Sequence, residues 1–99
     1  MKALRINPLV VKDLKEIRNF IADDNPEKAA ETIENIYEKF EMIQLFPGMG
    51  SELSKRVSFR IEYQYIVWND YIIIYKVRKG FVEIYRVVNR YQDITRIFD

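Results

Sequence analysis

The spacing of apolar residues changes along the chain, from a helical repeat in the first half to strand-like runs in the second. Val10, Leu14, Ile17 and Ile21 follow one another at intervals of four, three and four, which places them on one face of a helix. Three β-rich runs lie in the second half, over residues 61–68, 71–77 and 81–88. This change of period predicts an α+β domain with helices first and strands last.

Two Asn-Pro steps predict where the helices begin. Asn is a good N-cap, and Pro at the first helical position loses no bonded N–H, so helices are expected to start after Asn7 and after Asn25. The segment 46–50, Phe-Pro-Gly-Met-Gly, stops the second helix. Residues 2–6 alternate and predict a short strand. The expected order is β-α-α-β-β-β, an N-terminal helical hairpin packed on a small antiparallel sheet. The second helix carries one stripe of mostly apolar residues, Ala29, Ile33, Ile36, Tyr37, Phe40 and Ile43.

Turn lengths give a provisional register for the three strands. The dipeptide Asn69-Asp70 suits a two-residue hairpin, and residues 78–80 suit a three-residue turn with Gly80 in the left-handed region. One sheet face then carries Ile66, Trp68, Tyr71, Ile73, Tyr75, Tyr85 and Val87. The other carries Tyr63, Tyr65, Val67, Ile72, Ile74, Lys76, Ile84 and Arg86. A bulge would shift this register and exchange the two sets.

Both predicted faces are largely apolar, although two short helices can cover only one. The second face is therefore expected to meet the C-terminal tail, a second copy of the chain in a homodimer, or a partner protein. The candidate partner-binding face consists of Tyr63, Tyr65, Val67, Ile72, Ile74, Lys76 and Ile84.

Composition restricts the chemistry. The 99 residues fit a single domain spanning 1–99. The chain has no Cys and no His, which excludes disulfides, thiolate nucleophiles and imidazole bases. No cofactor and no metal site is predicted. No apolar run approaches the ~20 residues that cross a bilayer, and no signal-like stretch opens the chain, so a cytoplasmic location without membrane contact is expected.

Charge is unevenly distributed. Residues 1–53 hold seven Lys or Arg against ten Asp or Glu, whereas residues 54–99 hold nine against five. One explanation is that the helical surfaces are simply rich in Glu. The other is that the strand half faces an anionic partner.

Four local motifs, in this order, carry a resemblance to a known family. They are an acidic-Asn-Pro step at 23–26, Phe-Pro-x-x-Gly at 46–50, Tyr-x-x-x-Tyr-x-Val at 71–77, and Val-x-Ile-x-Arg-Val at 82–87. The chain resembles the RelE/ParE superfamily of type II toxin–antitoxin toxins over nearly its whole length. The resemblance implies a small toxin that a cognate antitoxin neutralises.

The resemblance leaves three functions open. ParE-like members inhibit DNA gyrase, RelE-like members cleave mRNA on the ribosome, and an inactive relative would serve only to bind antitoxin. The strand position that is usually a catalytic Arg in the nucleases is Ile72, and the His often found after the last strand is replaced by Asn89. These departures favour gyrase inhibition or an inactive relative over a ribonuclease.

Candidate catalytic residues exist if the chain is nevertheless a nuclease. Arg86, Arg90 or Arg60 would meet the charge of a cleavage transition state, and Tyr91 lies where the family keeps active-site residues. For Arg86 the alternative is structural: its stem would cover apolar neighbours and its guanidinium would pair with an acidic side chain.

Overall fold

The computed structural model describes residues 1–57 and 61–98. Strand β1 (Ala3–Ile6) is followed by helices α1 (Pro8–Ala22) and α2 (Pro26–Leu45), then by strands β2 (Ser51–Glu52), β3 (Gln64–Trp68), β4 (Tyr71–Arg78) and β5 (Phe81–Asn89). Three short 3-10 helices cover Pro47–Met49, Leu53–Lys55 and Ile94–Phe98. The α+β prediction is confirmed. None of the helices in the described ranges is long and apolar enough to cross a membrane.

The Asn-Pro steps act as predicted at both helix starts. The Asn7 side chain accepts a hydrogen bond from Leu9 N–H at 2.9 Å, and the Asn25 side chain accepts one from Lys28 N–H at 3.1 Å. Each cap satisfies one of the N–H groups that a helix start leaves without an internal partner. The caps therefore fix where α1 and α2 begin.

The sheet is larger than predicted and is mixed. Its five strands lie in the order β1-β5-β4-β3-β2. Strand β1 pairs parallel with β5, and the other neighbours are antiparallel. The sequence predicted β1 and the three strands of the meander, but it did not predict the pairing of β1 with β5 or the short strand β2. The run predicted from residue 61 begins as a strand only at Gln64.

One predicted turn is correct, and the other is correct in the positive φ of its Gly80 but wrong in its length. Trp68 pairs with Tyr71 across the two-residue β3–β4 turn, where Asn69 has a φ of 52°. The β4–β5 turn also has two residues rather than three, because Arg78 pairs with Phe81 and Gly80 takes the positive φ of 91°.

A bulge then shifts the β4–β5 register a second time. Tyr75 pairs with Ile84, whereas Ile74 pairs with Arg86, so one residue of β5 is skipped between them. The shorter turn has already paired Ile84 with Tyr75, so Ile84 packs on the helix side of the sheet and Tyr85 on the opposite side, the reverse of the prediction. The bulge that follows returns Val87 to the helix side, where it was predicted.

The sheet separates two hydrophobic cores. The first lies under the helices and contains Val10, Leu14, Ile36, Phe40, Ile43, Ile73, Tyr75, Val82, Ile84 and Val87. The second lies on the opposite face and contains Leu53, Ile72, Ile74, Val88 and Ile94. Both faces are covered within one chain, which explains why both strand faces are apolar in sequence.

A tyrosine hydroxyl holds the segment after α2 against the sheet. Tyr75 Oη donates to the Pro47 carbonyl at 2.8 Å and accepts from Gly50 N–H at 2.9 Å. Burial raises the pKa of Tyr75, because the charged phenolate would lose its hydration. A side chain at Gly50 would collide with this hydroxyl and with the Tyr65 carbonyl oxygen, 2.8 Å from an added Cβ. Gly is therefore required at this close approach.

Candidate partner-binding surfaces

The sheet face proposed from sequence as a partner surface is largely covered by the chain itself. Ile72 and Ile74 have no exposed surface, and Leu53 and the C-terminal 3-10 helix Ile94–Phe98 pack on them. Of the three coverings expected from sequence, the structure shows the tail, together with the segment around Leu53. A partner could reach Ile72 and Ile74 only if the tail moved away.

The remaining residues of that predicted face do not form one surface. Ile84 lies on the helix side because the β4–β5 turn has two residues rather than three, which corrects its assignment. Lys76 is half-buried and pairs with Glu83 at 3.4 Å. Tyr63 and Tyr65 pack against the second core, and Val67 is partly exposed. Antitoxin binding by this set stays a prediction, but its geometric basis, a shared exposed face, is wrong.

An aromatic cluster closes the edge of the second core. The Tyr63 ring centroid lies 4.7 Å from that of Tyr85 and 5.2 Å from that of Phe98, and the Tyr85 and Phe98 centroids are 5.8 Å apart. Burial raises the pKa of Tyr63, partly offset by the positive charge of Lys76. The rings of Tyr63 and Tyr85 therefore pack together, and Phe98 of the C-terminal tail packs against both.

Arg86 is held by a carboxylate from the first helix. Its Nε and Nη2 donate to the two carboxylate oxygens of Asp13 at 2.7 and 2.9 Å, a bidentate pair. Asp13 is only 6% exposed and also accepts from Val87 N–H at 3.0 Å. The hydrogen bonds to Asp13 raise the pKa of Arg86 above its ordinary value. This is the structural alternative considered for Arg86; a catalytic role stays a prediction.

The Asp13 carboxylate also completes the sheet edge. Strand β1 reaches only to Ile6, which pairs with Ile84, and Asn7 N–H donates to the Ile84 carbonyl. Beyond that point none of the strands within residues 1–57 and 61–98 lies on the β1 side of β5, and Asp13 accepts the Val87 N–H there. An isolated Asp in the first helix gives no sequence signal for this role, since its partners are more than 70 residues away.

The other candidate catalytic residues lie at the end of β5. Arg90 N–H donates to the Asp70 carbonyl at 2.8 Å, and the guanidinium carbon of Arg90 lies 5.6 Å from the Tyr91 ring centroid. Tyr91 is 75% exposed. Asn89, where the family often has His, caps this turn by accepting from Tyr91 N–H at 2.8 Å. Arg60 lies outside the described residues. Among the described side chains, no acidic group is arranged to hold a metal ion.

Sequence reasoning missed an apolar groove on the outer side of the helical hairpin, called here the hairpin groove. It is a cavity of about 230 Å³. Val11 is 62% exposed at its rim and Tyr37 is 43% exposed. The groove is lined by Val11, Leu14, Lys15, Arg18, Ile33 and Tyr37. The sequence feature that could have indicated this groove is Val11, an apolar residue that lies outside the buried apolar stripe of α1.

The comparisons with known proteins agree with this fold. The family model described as "ParE toxin of type II toxin-antitoxin system, parDE" matches residues 4–94. A solved chain from the structure titled "Chromosomal ParDE TA system from P. aeruginosa" superposes with a TM-score of 0.75 at 18% identity, covering 90% of this chain and 96% of that chain. No curated protein sequence matches. The match to the family model over nearly the whole sequence assigns the chain to the ParE toxin family of type II toxin–antitoxin systems.

Proposed function

We propose that this toxin arrests growth by binding DNA gyrase, without cleaving RNA, and that a cognate antitoxin neutralises it. The proposal rests on the surroundings of two positions, Ile72 and Arg86. Ile72, which replaces the nucleases' catalytic Arg, is an integral part of the second core, and Arg86 is held by Asp13. Cleavage of RNA needs a base near the ribose hydroxyl and cations near the developing charge. Neither position supplies these groups in an exposed cleft.

Arg90 and Tyr91 are the exposed candidates that the structure describes, and they suit contact with a target better than catalysis. They are adjacent in sequence and line one cavity with Phe20 of α1, which is 80% exposed. Exposed aromatic and Arg side chains are the types that dominate protein–protein binding energy. This rim of Phe20, Arg90 and Tyr91 is the proposed contact with the target.

The antitoxin is proposed to lie in the hairpin groove. Its exposed apolar floor fits the apolar stripe of an amphipathic helix, and Lys15 and Arg18 would face acidic residues beside that stripe. This location replaces the sheet face predicted from sequence, because the groove is open in the free chain.

Induction in a bacterial host tests both parts of the proposal. The wild-type chain is expected to stop growth alone and to be tolerated when the adjacent antitoxin gene is expressed. The variant Val11→Glu should remain toxic but escape neutralisation, whereas the control Val67→Glu, also at an exposed valine, should still be neutralised. A chain that is harmless alone would contradict the toxic activity, and neutralisation of Val11→Glu would contradict the docking site.

A further inference from the structure

Large apolar side chains are exposed side by side at the C-terminal end of α2. Phe46 is 64% exposed, Leu45 55%, Met49 43% and Met42 39%. Leu45 and Phe46 follow Met42 by three and four residues, which places the three side chains next to one another. Single exposed apolar residues are common on protein surfaces, whereas a group of neighbours marks a contact surface. These four residues are called here the α2-end patch.

The main chain under the α2-end patch is held in place. Phe46 N–H donates to the Met42 carbonyl at 2.8 Å, and Met49 N–H donates to the Phe46 carbonyl at 3.0 Å. The buried hydroxyl of Tyr75 donates to the Pro47 carbonyl between them. A partner would therefore meet a surface that is already ordered, which lowers the entropy cost of binding. The two flexible Met side chains can still adapt to the shape of the partner.

Carboxylates continue the same surface of α2 toward its N-terminus. Glu31, Glu34, Glu38, Glu41 and Leu45 follow one another at intervals of three, four, three and four, so they share one face of the helix. All four glutamates are exposed. None of them forms an ion pair with another of the residues that the structure describes. The outer face of α2 is thus acidic along its middle and apolar at its end.

This combination selects the kind of partner. Lys39 lies beside the patch, with its Nζ 3.9 Å from Met42 Sδ, but the four unpaired carboxylates outweigh this cation. Anionic lipids would be repelled, and a second copy presenting the same face would bring like charges together. A helix with an apolar stripe and with Lys or Arg further along the same face is complementary to both parts of the surface.

We propose that the α2-end patch binds an amphipathic helix of a partner protein. Apolar side chains of that helix cover Leu45 and Phe46, and its Lys or Arg side chains lie opposite Glu38 and Glu41. The inference goes beyond the proposed function, because it requires neither gyrase binding nor the hairpin groove. The two surfaces also differ in charge, since cationic side chains line the hairpin groove.

The test uses an alanine-based helical peptide with leucines on one face of one half and lysines on the same face of the other half, made in both chain orders. The full-length protein is labelled with carbon-13 at its methionine methyl groups. In two-dimensional NMR, at least one peptide should shift the methyl signals of Met42 and Met49. Leu45→Gln should weaken this binding about fivefold or more, because it removes an exposed apolar contact. The control Leu9→Gln, at a leucine that is 44% exposed on α1, should leave binding unchanged.

A second pair of variants tests the charge. Glu38→Gln with Glu41→Gln should weaken binding about three- to tenfold, because each exposed charge pair contributes modestly. Added salt should weaken wild-type binding in the same direction. The matched control, Asp23→Asn with Asp24→Asn, removes two exposed carboxylates near the other end of α2 and should have little effect.

Three results would overturn the proposal. Neither peptide may shift the two methyl signals, or peptides with glutamate in place of lysine may bind equally well. The third is self-association of the wild-type chain in sedimentation equilibrium that Leu45→Gln abolishes, which would assign the patch to a second copy. Because the readout is binding to α2, failure here leaves the growth and neutralisation assays unaffected.

Discussion

Removing the Asp13 carboxylate should destabilise the fold through Arg86 and Val87. Asp13→Ala deletes three hydrogen bonds, of 2.7, 2.9 and 3.0 Å, and leaves a cation and a main-chain N–H without an acceptor. Breaking a buried ion pair from one side typically costs 3–5 kcal/mol. The Arg86 side chain is 21% exposed, so water recovers part of the loss. We expect a decrease of about 3 kcal/mol in the free energy of unfolding.

Urea unfolding at pH 7, followed by circular dichroism and by fluorescence, measures this decrease. The double variant Asp13→Ala with Arg86→Met should recover much of it, because no unpaired charge then remains buried. The control Lys55→Ala removes an exposed pair with Glu52 at 3.7 Å and should change the free energy of unfolding by less than about 0.5 kcal/mol. A loss below about 1 kcal/mol for Asp13→Ala, or no recovery in the double variant, would refute the structural role of this pair.

Three further predictions concern the packing around the sheet. Gly50→Ala should lower the free energy of unfolding by about 1–3 kcal/mol, because its Cβ would lie 2.8 Å from a main-chain carbonyl oxygen. The control Gly48→Ala, whose Cβ would have no heavy atom within 4 Å, should be nearly neutral in the same urea experiment. Ile72→Arg introduces the residue of the nucleases and should lower the free energy of unfolding by about 4 kcal/mol or more, because it buries a charge. Val67→Arg, at the surface, should be tolerated. A stable, monomeric Ile72→Arg chain would contradict the covered second face. Burial raises the pKa of Tyr75 above 10.0, so its contribution to stability is complete below pH 10 and is lost as the pH rises further. The alkaline fall in the free energy of unfolding should therefore be shallower in Tyr75→Phe. Equal slopes of the two proteins in urea titrations from pH 9 to 11 would contradict this.

Local signals in the sequence were sufficient for the helices. The Asn-Pro caps and the four-three-four apolar spacing depend on neighbours within one or two turns, and α1 and α2 begin where these signals place them. The β3–β4 turn followed from its two residues in the same way.

Interactions between segments that are distant in the chain could not be predicted from the sequence. The parallel pairing of β1 with β5 joins Ala3 to Phe81, and the β5 bulge is an extra residue without a sequence marker. The β4–β5 turn, one residue shorter than predicted, placed Ile84 and Tyr85 on the faces opposite to those predicted. The sequence did indicate a second apolar face, but the choice between tail, second copy and partner depended on how residues 94–98 pack.

The same limit applies to the candidate site. The family motifs placed Arg86, Arg90 and Tyr91 at the end of the meander, but they could not indicate that Arg86 turns toward α1. Its partner Asp13 is one of ten Asp and Glu residues in the first 53, and only the three-dimensional contact distinguishes it. The hairpin groove was missed because a single exposed valine is common on helix surfaces.

Incubation of the purified toxin with DNA gyrase tests the central claim most directly. Supercoiling of relaxed plasmid should be inhibited, or gyrase–DNA cleavage complexes should accumulate, in proportion to toxin concentration, and the antitoxin should reverse the effect. In bacterial cells that express the toxin, primer extension should show no new mRNA ends at ribosomal A-site codons. Unchanged gyrase activity together with new A-site cuts would contradict the account and establish a ribonuclease that works without His.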